Sequence, residues 1–367
     1  MSDLHARGDG PRQSAGYAWT SRIKDTGESL MRTIGAPVRP VPGQWPRTEV
    51  ALEGSAKLYH FAPAPGVARV GRTPVLLASS LINRWYVLDL YPEGSIVRRL
   101  VEAGLDVWAI DWGVPTDDDR WLRWDDLVRR LERGLRKVRQ LTGASKSVLL
   151  GYSIAGTLAV IAAARNREPL AGLVNLAGPV DFSKAGLLQR LTDPRWFDVD
   201  AIAEAGNVEP AQMLAGFLAL RPTSVLGDMV KLAQFAARKD KLSRDHTLAL
   251  SGWAYDNIPF VGEAYRDYVR SLYQRNELVR GEHQVHGKPV ILSDISCPVL
   301  SIVADRDVIT PPASALALHD HLAGRCEVLE AQGGHVSAIV HPSGREGFHR
   351  SLCAWLEARV RQADEVG

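Results

Sequence analysis

Ser153 stands in the segment Gly151-Tyr152-Ser153-Ile154-Ala155-Gly156, directly after the apolar run Ser147-Val148-Leu149-Leu150 and before the small-residue stretch Thr157 to Ala164. An apolar strand, a tight Gly-x-Ser-x-small turn and a helix hold a hydroxyl above the carboxyl end of a sheet, beside a helix N-terminus. The residues flanking such a nucleophile must be small because the turn is sharp; here Ala155 occupies the place where Gly is usual. A Ser hydroxyl is a poor nucleophile until a base accepts its proton and a carboxylate orients that base. The residues to look for next are therefore a His and an acid.

Where such a turn carries the nucleophile, the acid and then the His follow along the chain. His335 lies in Ala331-Gln-Gly-Gly-His335-Val-Ser, a Gly-bearing loop after the last expected strand, and is the expected base. His319, His321, His341 and His349 are nearby, but none follows a strand end. The acid should follow the preceding strand, where Asp305-Arg306-Asp307-Val308 offers two carboxylates. A short turn is needed before a side chain can face the base, which favours Asp307 and leaves Asp305 as a turn or capping residue. The oxyanion hole should use the backbone N–H of Ile154 and a second from the loop after Val75-Ser80, with Leu81 or Ile82 as donor. That loop, Leu81-Ile82-Asn83-Arg84-Trp85-Tyr86, is not of the His-Gly-Gly-Gly type. Trp85, Tyr86, Trp108 and Trp112 are read as core aromatics near strand ends.

These residues need a scaffold of alternating strands and helices. Short apolar runs at Thr48-Leu52, Ala56-His60, Val75-Ser80, Asp106-Trp112, Ser147-Ser153, Gly172-Ala177, Val299-Ala304 and Glu327-Glu330 read as strands, most of them buried on both faces. Helical patterns fall between them at Ser95-Ala103, Trp121-Thr142, Ala155-Arg165 and Gly344-Arg361. The order predicts an α/β fold of the α/β-hydrolase type, a mostly parallel sheet with helices on both faces. The alternation breaks from about Asp181 to Ile295, where helices are expected at Pro210-Leu218, Thr223-Ala237, His246-Ala254 and Gly262-Gln274, and no strand. An insertion there is placed to cap the site, select substrate and exclude water. The expected organisation is a largely irregular tail over 1–45 with one short helix near Ser29 to Ile34, core over 46–180, helical cap over 181–295, and core again over 296–367.

The chain has 367 residues, 46% of them hydrophobic, and a formal net charge of +2. Neither nucleic acid nor an anionic membrane is suggested as the main partner. Arg129, Arg130, Arg133, Arg136, Lys137 and Arg139 alternate with Leu127, Leu131, Leu135 and Val138, which reads as the solvated face of an amphipathic helix. Cys297, Cys326 and Cys353 fit buried thiols in a reduced compartment. No zinc-type Cys/His spacing and no metal or redox cofactor is indicated. The N-terminal residues lack a secretory apolar core and no run of about 18 apolar residues exists, so a cytoplasmic protein without a membrane span is expected.

Longer segments carry a resemblance. Asn83-Arg-Trp-Tyr-Val-Leu-Asp-Leu90, Asp106-Val-Trp-Ala-Ile-Asp-Trp-Gly-Val-Pro115, Pro179-Val-Asp-Phe182, Gly206-Asn207, Asn257-Ile-Pro-Phe260, Tyr273-Gln-Arg-Asn276 and Gly287 to Ile302 occur in order. Together they make the chain resemble the polyhydroxyalkanoate synthases, especially the short two-component class III type, from about Pro74 to Pro342. The resemblance implies a capped α/β-hydrolase fold that polymerises (R)-3-hydroxyacyl-CoA, the CoA thioester being substrate rather than cofactor. It also implies a second, non-catalytic subunit and association with polyester granules; a homo-oligomer is compatible with it. The family's nucleophile, acid and base align with Ser153, Asp307 and His335.

Three positions depart from that family's pattern. Its nucleophile is usually Cys where this chain has Ser153, its next Gly is Ala155, and the His after its catalytic Asp is Val308. A thiolate is the better group for thioester exchange, whereas a Ser enzyme forms an oxygen ester as polymer-degrading esterases do. Synthase-type acyl transfer is the first expectation. A serine ester or thioester hydrolase on the same scaffold is the second, and a catalytically silent, granule-associated homologue is the third.

Overall fold

The computed structural model describes residues 43–219, 241–322, 324, 326–340 and 345–366. Eight strands form one sheet: β1 (Arg47–Glu53), β2 (Ala56–Phe61), β3 (Val75–Ala78), β4 (Val107–Asp111), β5 (Ser147–Tyr152), β6 (Leu170–Leu176), β9 (Val299–Ala304) and β10 (Cys326–Ala331), in the order β1-β2-β4-β3-β5-β6-β9-β10. The first two are antiparallel to their neighbours, and the remaining six run parallel. The tail residues before 43, including the helix expected near Ser29 to Ile34, lie outside the described residues.

Alternate residues of the central strands face two separate apolar layers. Leu76, Ile110, Leu149 and Leu173 pack with helices Trp124–Thr142 and Ile154–Ala164 on one side. Val75, Val107, Val148 and Val174 pack with helices Ile96–Glu102 and Arg345–Val366 on the other. Both faces being dry, neither selects polar side chains, which is why these strands read as unbroken apolar runs.

Three expectations need correction. The helix expected from Trp121 begins at Trp124, because Asp126 accepts from the Arg123 N–H at 2.9 Å and fixes the helix start there; Asp117–Trp121 form a separate 3₁₀ turn. Arg130 is buried beside Gly54 rather than solvated, while Arg133 pairs with Glu53, and Arg136 and Arg139 with Glu168. The insertion also contains a small hairpin, β7 (Gln284–Val285) with β8 (Lys288–Pro289). Its turn residues His286 and Gly287 both have positive φ (52° and 68°), and strands of two residues are too short to show an alternation.

Between β6 and β9 the described chain is otherwise helical, with helices Gly186–Leu191, Val199–Glu204, Pro210–Ala219, Lys241–Tyr255 and Gly262–Asp267, the last continuing as a π-helix over Tyr268–Gln274. The helix expected at Thr223–Ala237 lies outside the described residues. Val208 and Phe260 form an antiparallel bridge that joins the outgoing and returning limbs of the insertion.

Candidate active site

The turn after β5 is strained in the manner a nucleophile position requires. Ser153 has φ 59° and ψ −127°, and its N–H donates to Leu176 O of the neighbouring β6 at 2.9 Å. A non-Gly residue at positive φ persists only where its surroundings over-determine it. Two glycines allow the turn to close. A Cβ at Gly151 would lie 2.4 Å from Ala155 O, and one at Gly156 would lie 2.6 Å from Asn175 Oδ1 and 2.8 Å from Gly178 Cα. Ala155 itself is fully buried, so the extra methyl is packed into the core.

The acid and the base leave neighbouring strand ends in register. Ala304 of β9 pairs with Ala331 of β10, and the two loops beyond them are bonded together. Asp305 N–H donates to Ala331 O at 3.0 Å, Arg306 N–H to Gly333 O at 3.0 Å, and Gly333 N–H to Asp305 Oδ1 at 2.6 Å. The Gly333 N–H is the main cause holding the Asp305 carboxyl below its ordinary pKa. Asp305 thus joins the two loops, a role more specific than the turn residue expected of it.

Asp307, His335 and Ser153 meet. His335 Nδ1 lies 2.6 Å from Asp307 Oδ2, and His335 Nε2 lies 2.9 Å from Ser153 Oγ. Asp307 Oδ1 accepts from the N–H groups of Ile309 and Thr310, each at 2.9 Å, which fixes the carboxylate orientation. Tyr152 lies against the imidazole, with ring centroids 5.3 Å apart, and its hydroxyl donates to His335 O at 3.3 Å. Burial first, then the Asp307 charge, pushes the Tyr152 phenol well above its ordinary pKa, so it stays a neutral donor. All three members of the relay are buried, which strengthens each charge-assisted bond.

Ile154 provides the first N–H of the following helix and lines the same chamber as Ser153. Leu81 and Ile82 are buried on the loop after β3 and do not line that chamber; Ile82 O accepts from Ile258 N–H of the insertion at 3.0 Å. Trp112 Nε1 donates to Ser79 O at 2.8 Å and steadies the same loop from the core side. The sequence marks Trp112 only as a core aromatic; its position one residue beyond β4 is the signal for this further role.

A chamber of about 230 Å³ opens at Ser153. Its walls are overwhelmingly apolar, with Leu188, Phe197, Met213, Phe217 and Phe260 from the insertion facing Ile154 and Pro179 of the core. Tyr265, Tyr268 and Tyr273 bring phenols to it, and burial pushes Tyr273 up to about 12. Among the described residues no group of three or more His, Cys, Asp or Glu side chains could hold a metal ion, and no helix is long and apolar enough to cross a membrane.

Comparison with known proteins accords with this geometry. Residues 73–342 match a family model described as alpha/beta hydrolase fold. A hydrolase from Pseudomonas aeruginosa PA01 superposes with a TM-score of 0.52 at 15% identity, covering 84% of this chain and 98% of that one, a likeness of fold alone. The poly(3-hydroxyalkanoate) polymerase subunit PhaC of Synechocystis is 30% identical over 337 residues, 86% of this chain and 85% of that protein. The corresponding subunit of Haloarcula marismortui is 31% identical over 360 residues, 95% of this chain and 74% of that protein. A relay of Ser, His and Asp on the carboxyl ends of a parallel sheet, beneath a helical insertion, thus sits in a chain that belongs to the α/β-hydrolase fold family and, within it, to the PhaC poly(3-hydroxyalkanoate) polymerase family.

Proposed function

We propose that this chain is a hydroxyacyl transferase that uses (R)-3-hydroxyacyl-CoA and works through an acyl ester on Ser153. His335 Nε2 accepts the Ser153 proton while Oγ attacks the thioester carbonyl, and Asp307 stabilises the imidazolium that forms. The N–H of Ile154, at the chamber, receives the oxyanion; the second donor is assigned to the loop after β3, at Leu81 or Ile82, outside the chamber lining. Collapse breaks the C–S bond, and the imidazolium proton passes to the departing CoA thiolate. The 3-hydroxyl of a second unit then gives its proton to His335 and attacks the Ser153 ester, so one ester bond forms, one breaks, and Ser153 regains its proton. The observation that carries this reading is the Ser153–His335–Asp307 relay lying at an apolar chamber, in a chain of the PhaC family. An apolar chamber suits hydroxyacyl chains and keeps water from resolving the ester. A second, non-catalytic subunit and work at a polyester granule in the cytoplasm belong to the same proposal.

The alcohol at position 153 favours one other reading, a serine ester or thioester hydrolase in which water resolves the same intermediate. A silent granule-coating homologue is the least supported, because the relay is complete.

Purified protein incubated with (R)-3-hydroxybutyryl-CoA tests all three. CoA release with growing oligomers is the expected outcome. Release with free 3-hydroxybutyrate alone would make the protein a hydrolase. No release, alone or with a partner subunit, while Ser153→Ala behaves as wild type, would leave the silent homologue.

A further inference from the structure

The loop Ser79 to Arg84 has no regular structure of its own, yet it is bonded on both sides. Trp112 holds Ser79 from the core. The returning limb of the insertion holds the remainder. Asn83 and Asn257 form an antiparallel bridge with a side-chain hydrogen bond between them, and Trp253 Nε1 donates to Arg84 O at 2.9 Å. At the centre is Asp256, just past the Lys241–Tyr255 helix. Its Oδ2 accepts from Tyr86 OH at 2.6 Å and its Oδ1 from Arg84 Nε at 3.3 Å. The Tyr86 phenol is raised far above its ordinary pKa, by burial first and then by Asp256, so it remains a committed donor. Four residues on, Phe260 lines the chamber and bridges to Val208.

We propose that Asp256 is a positioning residue for the oxyanion hole. It ties the loop bearing the second N–H donor to the limb of the insertion that walls the chamber, so the fit of the insertion and stabilisation of the tetrahedral intermediate are coupled. This rests on the reading above that Leu81 or Ile82 provides that donor. Oxyanion donors act only when held within a few tenths of an ångström of the developing charge, and a loop without its own ladder must be held from outside. Arg84 and Tyr86 straddle the same carboxylate from positions two apart, which fixes the loop in translation and in twist. Asp256 is not among the residues lining the chamber, and its side-chain bonds go to Arg84 and Tyr86, so its effect passes through the loop.

The test is covalent labelling of Ser153 in the full-length protein by a fluorophosphonate, whose tetrahedral adduct needs the oxyanion hole whatever the natural substrate is. Asp256→Ala is expected to lower the maximal labelling rate by about 10- to 100-fold, below the roughly 10²- to 10³-fold loss on deleting a donor outright. The half-saturating probe concentration should stay within about twofold, the split that separates positioning from binding. Asp256→Asn, which still accepts from Tyr86, should recover part of the rate. Tyr86→Phe should slow labelling too, and the double variant should be no slower than Asp256→Ala, as members of one unit behave. Tyr86→Phe keeps the buried ring and carries the test should Asp256→Ala fail to fold. An unchanged maximal rate in these variants, or a weaker half-saturation at unchanged rate, would overturn the proposal. A wild-type protein that is not labelled at Ser153 would instead overturn the nucleophile assignment, and the inference with it.

Discussion

The Gly333 N–H donates to Asp305 Oδ1 at 2.6 Å, fastening the loop that bears His335 to the loop that bears Asp307. Gly333 adopts φ 122°, a conformation L side chains rarely hold, so this bond steadies a turn with little intrinsic preference for its shape. Asp305→Ala should therefore lower kcat about tenfold by loosening the His335–Asp307 geometry, with KM little changed, since small misplacements cost heavily in acyl transfer. Steady-state kinetics with a chromogenic acyl ester measures this. An unaltered kcat would show that the two backbone bonds at Ala331 and Gly333 hold the loops unaided.

Ser153→Ala should abolish turnover, and Asp307→Asn should lower kcat by about four orders of magnitude through loss of the imidazole's orienting carboxylate. Circular dichroism and melting would confirm that both variants fold. Residual turnover of Ser153→Ala within tenfold of wild type would remove Ser153 from the mechanism.

Ser153→Cys exchanges an alcohol for a thiol of pKa about 8.5, a better attacking and leaving group with thioesters. The share of acyl groups recovered as oligomer rather than free hydroxy acid should rise. Chromatography of the products from (R)-3-hydroxybutyryl-CoA reads that ratio. A folded but inactive Ser153→Cys would mean that the relay serves an alcohol only.

Met213, on helix Pro210–Ala219, lines the chamber. Met213→Trp should narrow it and lower kcat/KM for longer hydroxyacyl chains by about 10- to 200-fold relative to a four-carbon chain, the scale of one or two methylenes in an apolar pocket. Equal loss for every chain length would place acyl binding elsewhere.

Asp106 lies at the opposite end of β4 from the site, buried against His60 Nε2 at 2.8 Å and Arg69 at 3.3 Å. Burial pushes its carboxyl up, but the His60 bond, the charges of Arg69 and His60 and the Trp108 N–H outweigh it and leave the pKa lowered. A depressed folded pKa means the native state binds fewer protons than the unfolded chain. The contribution is complete above the unfolded carboxylate range near about pH 4 and is lost as pH falls through the lowered folded value. The stability difference between wild type and Asp106→Asn should thus shrink from about pH 5 downwards, measured by urea unfolding. A constant difference across that range would mean that packing, not charge, sets the effect.

Ser153, His335 and the sheet were legible in the sequence because each depends on local order: an apolar run, a small-residue turn, a glycine pair after a strand. The alternation of strands with helices dictates a parallel sheet, and a parallel sheet brings strand ends to one edge, where β5, β9 and β10 deliver the three relay residues. The preference for Asp307 over Asp305 followed from turn length, and the structure places Asp307, not Asp305, on His335. Only the tertiary structure decided what joins residues far apart along the chain: Asp305 with Gly333, Trp112 with Ser79, and Asp256 with Tyr86 and Arg84. Each is a polar side chain satisfying a backbone or side-chain group 28 to 172 residues away. No local periodicity encodes such a partner; it is selected when packing has removed water and left one donor facing one acceptor.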